Sequence, residues 1–229
     1  MTPIKLVVFD IAGTTVKDAG NVKEAFASAC ADFNISIPDD AINKVMGWRK
    51  IDAIKMLLQQ YHPSVLENNA DLIEQIHKNF TSRMVDFYNN DETLVPLPHA
   101  INTFAALRQQ GIKVALNTGF SKIITTAILK KLQWDQTVID AVISSDEVPE
   151  GRPHAFMIKA LMQQFNINNP AAVAKVGDTE VDVLEGRNSE CGKVISVTTG
   201  AYTRQELVPY SPDYIIDSLE TVASLILEA

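Results

Sequence analysis

Near its start the chain has the sequence Ile4-Lys5-Leu6-Val7-Val8-Phe9-Asp10-Ile11-Ala12-Gly13-Thr14-Thr15, and this segment sets the fold class. Its nearly continuous apolar run predicts a strand buried on both faces, as in a parallel sheet covered by helices. Asp10 would stand at the carboxyl end of the strand, where open α/β sheets bind ligands, and Gly13 would let the backbone turn closely around a bound group. Taken alone, the pattern is equally consistent with Asp10 as a turn or cap residue.

The composition is that of an ordinary soluble globular protein. The chain has 229 residues, of which 46% are hydrophobic and 21% charged, enough for one large domain or a core with a smaller insertion. Its net charge of −8 argues against binding to nucleic acid or an anionic membrane, because both favour a basic face. An anionic substrate would therefore need positive charge supplied locally.

Cysteine usage and the N-terminus predict a cytoplasmic protein. Cys30 and Cys191 lie far apart and lack metal-ligand or C-x-x-C spacing, which fits a reducing compartment. The chain enters its first strand almost at once, which leaves no room for a signal segment, and no apolar stretch approaches membrane-spanning length.

The middle of the first half has helical periodicity only. Helices are predicted over residues 21–33, 38–45, 50–61 and 65–88. This pattern predicts an α-helical domain, residues 17–90, inserted just after the first strand, with residues 1–16 and 91–229 forming the rest of the protein.

From residue 96 onward strands and helices alternate, as in a parallel-sheet protein. Strands are predicted over residues 112–117, 141–144, 172–176, 193–198 and 213–216. With the first strand they predict an α/β fold built on a doubly wound, mostly parallel sheet.

Four polar turns follow these strands: Asp10 with Thr14, Thr118-Gly119, Gly151-Arg152-Pro153, and Gly177-Asp178-Thr179-Glu180-Val181-Asp182. Right-handed crossovers bring such turns together at one edge of the sheet. Carboxylates can hold Mg²⁺ through their oxygens, while a helix start and an arginine can hold phosphate oxygens. We therefore expect one site for phosphoryl chemistry.

The order D-x-x-G-T, N-T-G-F-S, G-R-P and V-G-D-T-x-x-D resembles the haloacid dehalogenase superfamily. The resemblance implies a Rossmann-like core with the inserted helices as a mobile cap. It implies that Asp10 is the nucleophile that becomes an aspartyl-phosphate, and that Thr118 and Arg152 bind the phosphoryl group. Further implied contacts are Mg²⁺ at Asp10, the Ala12 backbone carbonyl and Asp178, with support from Asp182, and substrate at Thr14 and Gly119.

Ala12 departs from the common pattern. Ordinary phosphatases of this superfamily have a second aspartate at this position, because a departing alkoxide needs a proton from a general acid. The phosphonatase branch, which hydrolyses the carbon–phosphorus bond of phosphonoacetaldehyde, also has A-G-T-T after its nucleophile.

A second segment, Met46-Gly47-Trp48-Arg49-Lys50-Ile51-Asp52, resembles the cap segment of that branch. The match implies that Lys50 forms a Schiff base with an aldehyde, which makes a general acid dispensable. A solvated residue at a helix start is the alternative for Lys50. Met46 would line the same cap edge or belong to the cap core, and Arg49 would contact a substrate anion or be an exposed charge.

Two positions weaken the match to the phosphonatase branch. Ala53 replaces its histidine, which is assigned to proton transfer, and Phe120 replaces its tyrosine after Thr-Gly. Phe120 would wall the pocket or pack between cap and core. The favoured function is hydrolysis of the carbon–phosphorus bond of a small phosphonate substrate, either phosphonoacetaldehyde or a related phosphonate. The alternative is a phosphatase acting on a small phosphorylated substrate, a phosphate monoester, and a non-catalytic phosphoryl-binding module is a third. Either a monomer or a homodimer fits the sequence.

Overall fold

The computed structural model describes residues 2–67, 69 and 71–228. Within them, six strands form one sheet in the order β3-β2-β1-β4-β5-β6, and every pairing is parallel. The strands are β1 (Leu6–Phe9), β2 (Lys113–Thr118), β3 (Ala141–Ser144), β4 (Val173–Gly177), β5 (Lys193–Val197) and β6 (Tyr214–Ile216). The predicted α/β class with a doubly wound parallel sheet is confirmed.

β1 lies at the centre of the sheet, between β2 and β4. All of its residues are fully buried, as its apolar run predicts. Strand order reverses at β1, since the chain adds β2 and β3 on one side and β4 to β6 on the other. Such a reversal opens a crevice at the carboxyl ends of the strands, and Asp10 lies there.

In the described part of the chain after residue 96, six α-helices alternate with strands β2 to β6, beginning with α6 before β2. They are α6 (Ala100–Gln109), α7 (Lys122–Leu132), α8 (Phe156–Gln164), α9 (Glu180–Asn188), α10 (Arg204–Leu207) and α11 (Val222–Leu227). Val7 and Phe9 point to the face covered by α6, α7 and α11. Leu6 and Val8 point to the face covered by α8 and α9. Successive residues of β1 thus pack into two apolar layers, one on each face of the sheet, which is why β1 has no polar residue before Asp10.

Among the described residues between β1 and α6, there are five α-helices: α1 (Asn21–Ala31), α2 (Asp39–Lys44), α3 (Lys50–Tyr61), α4 (Pro63–Glu67) and α5 (Leu72–Asn90). The prediction of a single helix over 65–88 was wrong, because α4 ends at Glu67 and α5 begins at Leu72. Asp71 occupies the N-cap position of α5, and an aspartate favours that position over a helix interior. The predicted helix also included Asn68 and Ala70, which lie outside the described residues.

Aromatic side chains join the helical segment to the sheet. Phe80 of α5 stacks on Phe120, which follows β2, with ring centroids 6.5 Å apart. Tyr88 of α5 meets Phe120 edge-on at 6.1 Å, and Phe26 of α1 meets Phe80 at 6.0 Å. These side chains belong to the same apolar cluster as Val7 and Phe9, so α1 and α5 pack directly onto the core.

None of the helices among residues 2–67 and 71–228 combines the length and the apolar character that crossing a lipid bilayer requires.

We expect Phe80→Ala to lower the free energy of unfolding by about 3–5 kcal/mol, because it leaves a cavity among fully buried aromatic rings. Ile123→Ala on the exposed side of α7 is the control and should change it by less than about 0.5 kcal/mol. Urea unfolding measures both. Equal changes in the two variants would show that the Phe80 side chain does not stabilise the packing of the helical segment on the core.

Candidate active site

The polar turns meet around one cavity of about 200 Å³ between the sheet edge and the inserted helices. Of the residues predicted from sequence, those lining it from the sheet side are Asp10, Ala12, Thr118, Gly119, Phe120, Arg152 and Asp178. Met46 and Lys50 line it from the helical side. Thr14, Arg49 and Asp182 do not reach the cavity wall, and each has another position described below.

Arg152 connects the two ends of the acidic cluster beneath the cavity. Its Nη2 donates to Asp10 Oδ1 at 2.5 Å, and its Nη1 donates to Asp182 Oδ1. Burial alone would lower the pKa of Arg152, but the charges of Asp182 and Asp10 raise it, so the guanidinium stays charged. Burial raises the pKa of Asp10, and the charge of Arg152 opposes that shift. Arg152 therefore keeps the predicted nucleophile oriented and favours its ionised form.

Asp178 lines the same cavity as Asp10, and the protein binds both of its carboxylate oxygens. Its Oδ1 accepts from the Thr14 hydroxyl at 2.7 Å, and its Oδ2 accepts from the Ala201 amide at 2.8 Å. Thr14 is fully buried, so it contacts Asp178 and lies behind the cavity wall. Gly13 makes this packing possible, because a Cβ at its φ of +85° would lie 2.8 Å from Asp178 Oδ2. Burial, then the charges of Asp10 and Asp182, raises the pKa of Asp178 to about 8.

Asp182 is saturated with hydrogen-bond donors. Its Oδ1 is shared by Arg152 and by Lys175 Nζ at 2.9 Å, while its Oδ2 accepts from the Thr179 amide at 3.2 Å and hydroxyl at 2.6 Å. Burial would raise the pKa of Asp182, but the charges of Arg152 and Lys175 lower it to about 2. Asp182 thus acts on the site through Arg152.

Lys175, Asn117 and Glu185 form a buried layer that the sequence analysis missed. Lys175 Nζ in β4 donates to Asn117 Oδ1 at 2.6 Å and lies 3.3 Å from Glu185 Oε2. The Asn117 amide donates to both oxygens of Glu185, at 2.9 and 2.8 Å. A lysine inside a strand that is buried on both faces cannot reach solvent, so it needs a buried anionic partner. The single lysine in the apolar segment Ala172-Val173-Ala174-Lys175-Val176 was therefore a signal for such a partner.

The charges of this cluster favour a divalent cation. The carboxylates Asp10, Asp178, Asp182 and Glu185 face the two cations Arg152 and Lys175, a formal charge of −2 when all are ionised. Within the described part of the chain, no group of three His, Cys, Asp or Glu side chains is placed to hold a metal. Mg²⁺ often binds proteins through one or two carboxylates and keeps several waters, so the pair Asp10 and Asp178 suits it.

Lys50 is the first residue of α3, yet it is only 3% exposed. Its Nζ donates to the Trp48 carbonyl at 3.2 Å and lies 5.7 Å from the ring centroid of Phe120. Burial, then the positive charge of Arg152, lowers the pKa of Lys50 to about 8, against the opposing charges of Asp10, Asp18 and Asp178. A solvated lysine is therefore the wrong interpretation.

The loop that carries Lys50 rests on glycines of the core. A Cβ on Gly119 would lie 2.6 Å from the Gly47 carbonyl, and a Cβ on Gly151 would lie 2.8 Å from Arg49 Cβ. Arg49 Nη1 donates to the Pro149 carbonyl at 3.0 Å. Arg49 therefore ties the helical segment to the core and is directed away from the cavity.

Three polar residues that the sequence analysis did not assign to the site also line the cavity, namely Asp18, Lys23 and Asn43. Each belongs to the helical segment or its entry, where the sequence contains no motif to mark it.

A family model described as haloacid dehalogenase-like hydrolase matches residues 4–189. The chain belongs to this superfamily and is a hydrolase. A phosphonoacetaldehyde hydrolase from Pseudomonas fluorescens (strain Pf0-1) is 30% identical over 210 residues, which cover 87% of this chain and 74% of that protein. The family resemblance inferred from the motifs is confirmed.

Two solved structures share the fold of this superfamily member. A phosphonoacetaldehyde hydrolase-like protein from Oleispira antarctica has a TM-score of 0.85 at 21% identity, covering 99% of this chain and 94% of that one. A predicted phosphoglycolate phosphatase from Haemophilus somnus 129PT has a TM-score of 0.78 at 21% identity, covering 98% and 99%. At this identity the likeness establishes the fold alone.

We expect Lys175→Met to lower the free energy of unfolding by about 3–5 kcal/mol, because Asp182 and Glu185 lose their buried cation. Lys113→Met is the matched control. Lys113 also lies in a strand and pairs with an aspartate, Asp140, but its side chain is 49% exposed, so we expect the free energy of unfolding to fall by less than about 1 kcal/mol. Denaturant titration of both variants makes the comparison. Comparable losses would contradict a buried ionic layer.

Proposed function

We propose that this hydrolase cleaves the carbon–phosphorus bond of a small aldehyde-bearing phosphonate, such as phosphonoacetaldehyde. Asp10 would take the phosphoryl group while Lys50 holds the carbonyl carbon as a Schiff base. The observation that carries the proposal is the buried Lys50 amine in the same cavity as Asp10, with Ala12 where a general acid would otherwise stand.

The size of the cavity supports a small substrate. Its volume of about 200 Å³ is below the roughly 300–1,000 Å³ of pockets for drug-sized ligands. The curated relative from Pseudomonas fluorescens carries the name phosphonoacetaldehyde hydrolase, and a phosphonate with a short aldehyde arm is of this size class.

The sheet side of the cavity would bind the phosphonate group. Thr118 and Gly119 line this side, and the Thr118 hydroxyl, whose oxygen accepts from the Phe120 amide at 3.2 Å, would donate its proton to a phosphonate oxygen. Arg152 would orient Asp10 for attack on phosphorus. Superfamily hydrolases generally use a divalent metal, and Asp10, the Ala12 carbonyl and Asp178 would hold Mg²⁺ here. When bound, Mg²⁺ would neutralise charge on the phosphoryl oxygens. Water would then hydrolyse the Asp10 aspartyl-phosphate.

Lys50 would supply what a carbon leaving group needs. Its lowered pKa of about 8 makes a useful fraction of neutral amine available near neutral pH, and this amine can attack an aldehyde. The resulting iminium accepts the electron pair of the breaking carbon–phosphorus bond and becomes an enamine. No alkoxide forms, so the alanine at position 12 costs the reaction nothing.

The helical insertion would act as the cap. We infer residues 17–90 as the cap and residues 1–16 and 91–229 as the core, with the glycine contacts of the Lys50 loop defining the closed position. Closure excludes water from the Schiff base and the phosphoryl group. The free buried thiols of Cys30 and Cys191 support a cytoplasmic location, and a monomer or homodimer acting on a small molecule remains our expectation.

A phosphatase for a small phosphate monoester is the second candidate. Ala53 and Phe120 favour it, because neither side chain carries a proton for carbonyl chemistry. The leaving alkoxide would then take its proton from the cap or from the substrate itself.

We expect wild-type protein with Mg²⁺ to release phosphate from phosphonoacetaldehyde, and Asp10→Asn or Lys50→Arg to lower kcat/KM by at least about a thousandfold. Lys55→Arg, on the exposed side of the same helix, is the control and should be unaffected. Borohydride should trap the aldehyde on Lys50 only in proteins that retain this lysine. Phosphate release from phosphate esters but not from the phosphonate would favour the phosphatase. Release from neither would favour the non-catalytic phosphoryl-binding module.

The titration of Lys50 can be measured directly. Modification by an amine-directed reagent needs the neutral amine, so its rate at Lys50 should rise with pH and level off above about 8, whereas ordinary lysine side chains titrate near about 10.4. Peptide mass spectrometry follows Lys50 alone. A midpoint near the ordinary value would show that Lys50 is solvated in solution.

A further inference from the structure

Schiff-base formation requires protons to move from nitrogen to oxygen beside the lysine. An ammonium group must lose a proton to become a nucleophile, and the carbonyl oxygen must gain two protons to leave as water. This part of the inference rests on the proposed function, since it concerns the same cavity and the same lysine.

Most titratable groups lining the cavity already have a partner or a proposed role. Asp10 accepts from Arg152 through Oδ1 and is the proposed nucleophile through its other oxygen, while both oxygens of Asp178 accept from Thr14 and Ala201. Lys23 pairs with Asp39 at 3.0 Å.

Asp18 differs from these groups. It is half-buried and lines the cavity together with Lys50. Its Oδ1 accepts from the Gly20 amide at 3.0 Å and lies 3.5 Å from the Val22 amide, which anchors the carboxylate at the start of α1. Within the described part of the chain, its Oδ2 has no hydrogen-bond partner. Asp18 is thus an oriented carboxylate with one oxygen available to a ligand.

The geometry points to Asp18 as a catalytic residue that carries protons between the Lys50 nitrogen and the carbonyl oxygen of the substrate. The Asp18 charge raises the pKa of Lys50 less than the charge of Asp10 does and more than that of Asp178, which is consistent with a position near the amine.

The proton transfers balance without a further reactant. The Asp18 carboxylate takes one proton from the Lys50 ammonium, and the freed nitrogen pair forms the N–C bond while the carbonyl π pair moves to oxygen. Asp18 delivers that proton to the oxygen, then takes a second proton from the nitrogen and delivers it to the hydroxyl. The C–O bond breaks, water leaves, the nitrogen pair forms the C=N bond, and the product is the iminium with Asp18 again a carboxylate.

Asp18→Asn tests the role, because asparagine keeps the oxygen that accepts from Gly20 and cannot carry the proton. The probe is acetaldehyde with cyanoborohydride, and the readout is the rate of reductive alkylation at Lys50. We expect a loss of about a hundredfold or more at pH 7. The loss should shrink as the pH rises, because solvent then supplies neutral Lys50; removing the Asp18 charge shifts that range below the wild-type Lys50 pKa of about 8. Asp40→Asn, exposed on α2, is the matched control and should alkylate like wild type.

Acetyl phosphate separates a catalytic role from a structural one. Its leaving group departs without a proton and without an imine, so Asp18→Asn should hydrolyse it within about twofold of wild type. Equal losses on both reactions, or no loss of alkylation, would overturn the role of Asp18. If wild-type Lys50 is itself not alkylated faster than exposed Lys55, the Schiff base fails and the role of Asp18 fails with it.

Discussion

The site depends on one buried arginine placed between two aspartates. Arg152 donates to Asp10 and Asp182, which are 172 residues apart in the chain, and all three side chains are buried. Removing ions from water is costly unless each finds a partner, so these positions are coupled. Because Arg152 uses both terminal nitrogens on carboxylates, it orients the proposed nucleophile Asp10 and also fixes the turn after β4 relative to the turn after β1.

The second layer makes this arrangement rigid. Lys175 shares Asp182 Oδ1 with Arg152 and continues to Asn117 and Glu185. Each donor of the Lys175 ammonium has an acceptor, so the carboxylate that holds Arg152 cannot rotate freely. The acidic excess that remains is directed to the side where Asp10 and Asp178 face the cavity. The protein thus concentrates negative charge where a cation and a phosphoryl group would offset it.

The helical side of the cavity follows a different physical principle. There, burial and the field of Arg152 lower the pKa of one amine, Lys50, and the glycines at positions 119 and 151 let its loop approach the core backbone. The cavity therefore has an anionic end and an amine end, which in the proposed reaction would attack phosphorus and bind a carbonyl carbon respectively. A cap that moved without this close packing would leave Lys50 solvated and protonated.

Local pattern determined much of this protein before any contact was known. The apolar run of β1, the alternation after residue 96 and the ordered polar turns determined the parallel sheet, its helical insertion and the family, because period and turn chemistry are properties of neighbouring residues. The break between α4 and α5 was missed, since a short polar interruption weakens helical periodicity only slightly.

Tertiary structure alone decided which polar residues face the cavity. Thr14 lies behind Asp178, Arg49 binds the Pro149 carbonyl, and Asp18 enters the cavity without any motif to mark it. The pKa of Lys50 likewise depends on charges brought from distant parts of the chain. Burial, field and orientation arise between residues that are remote in sequence, so no local pattern contains them.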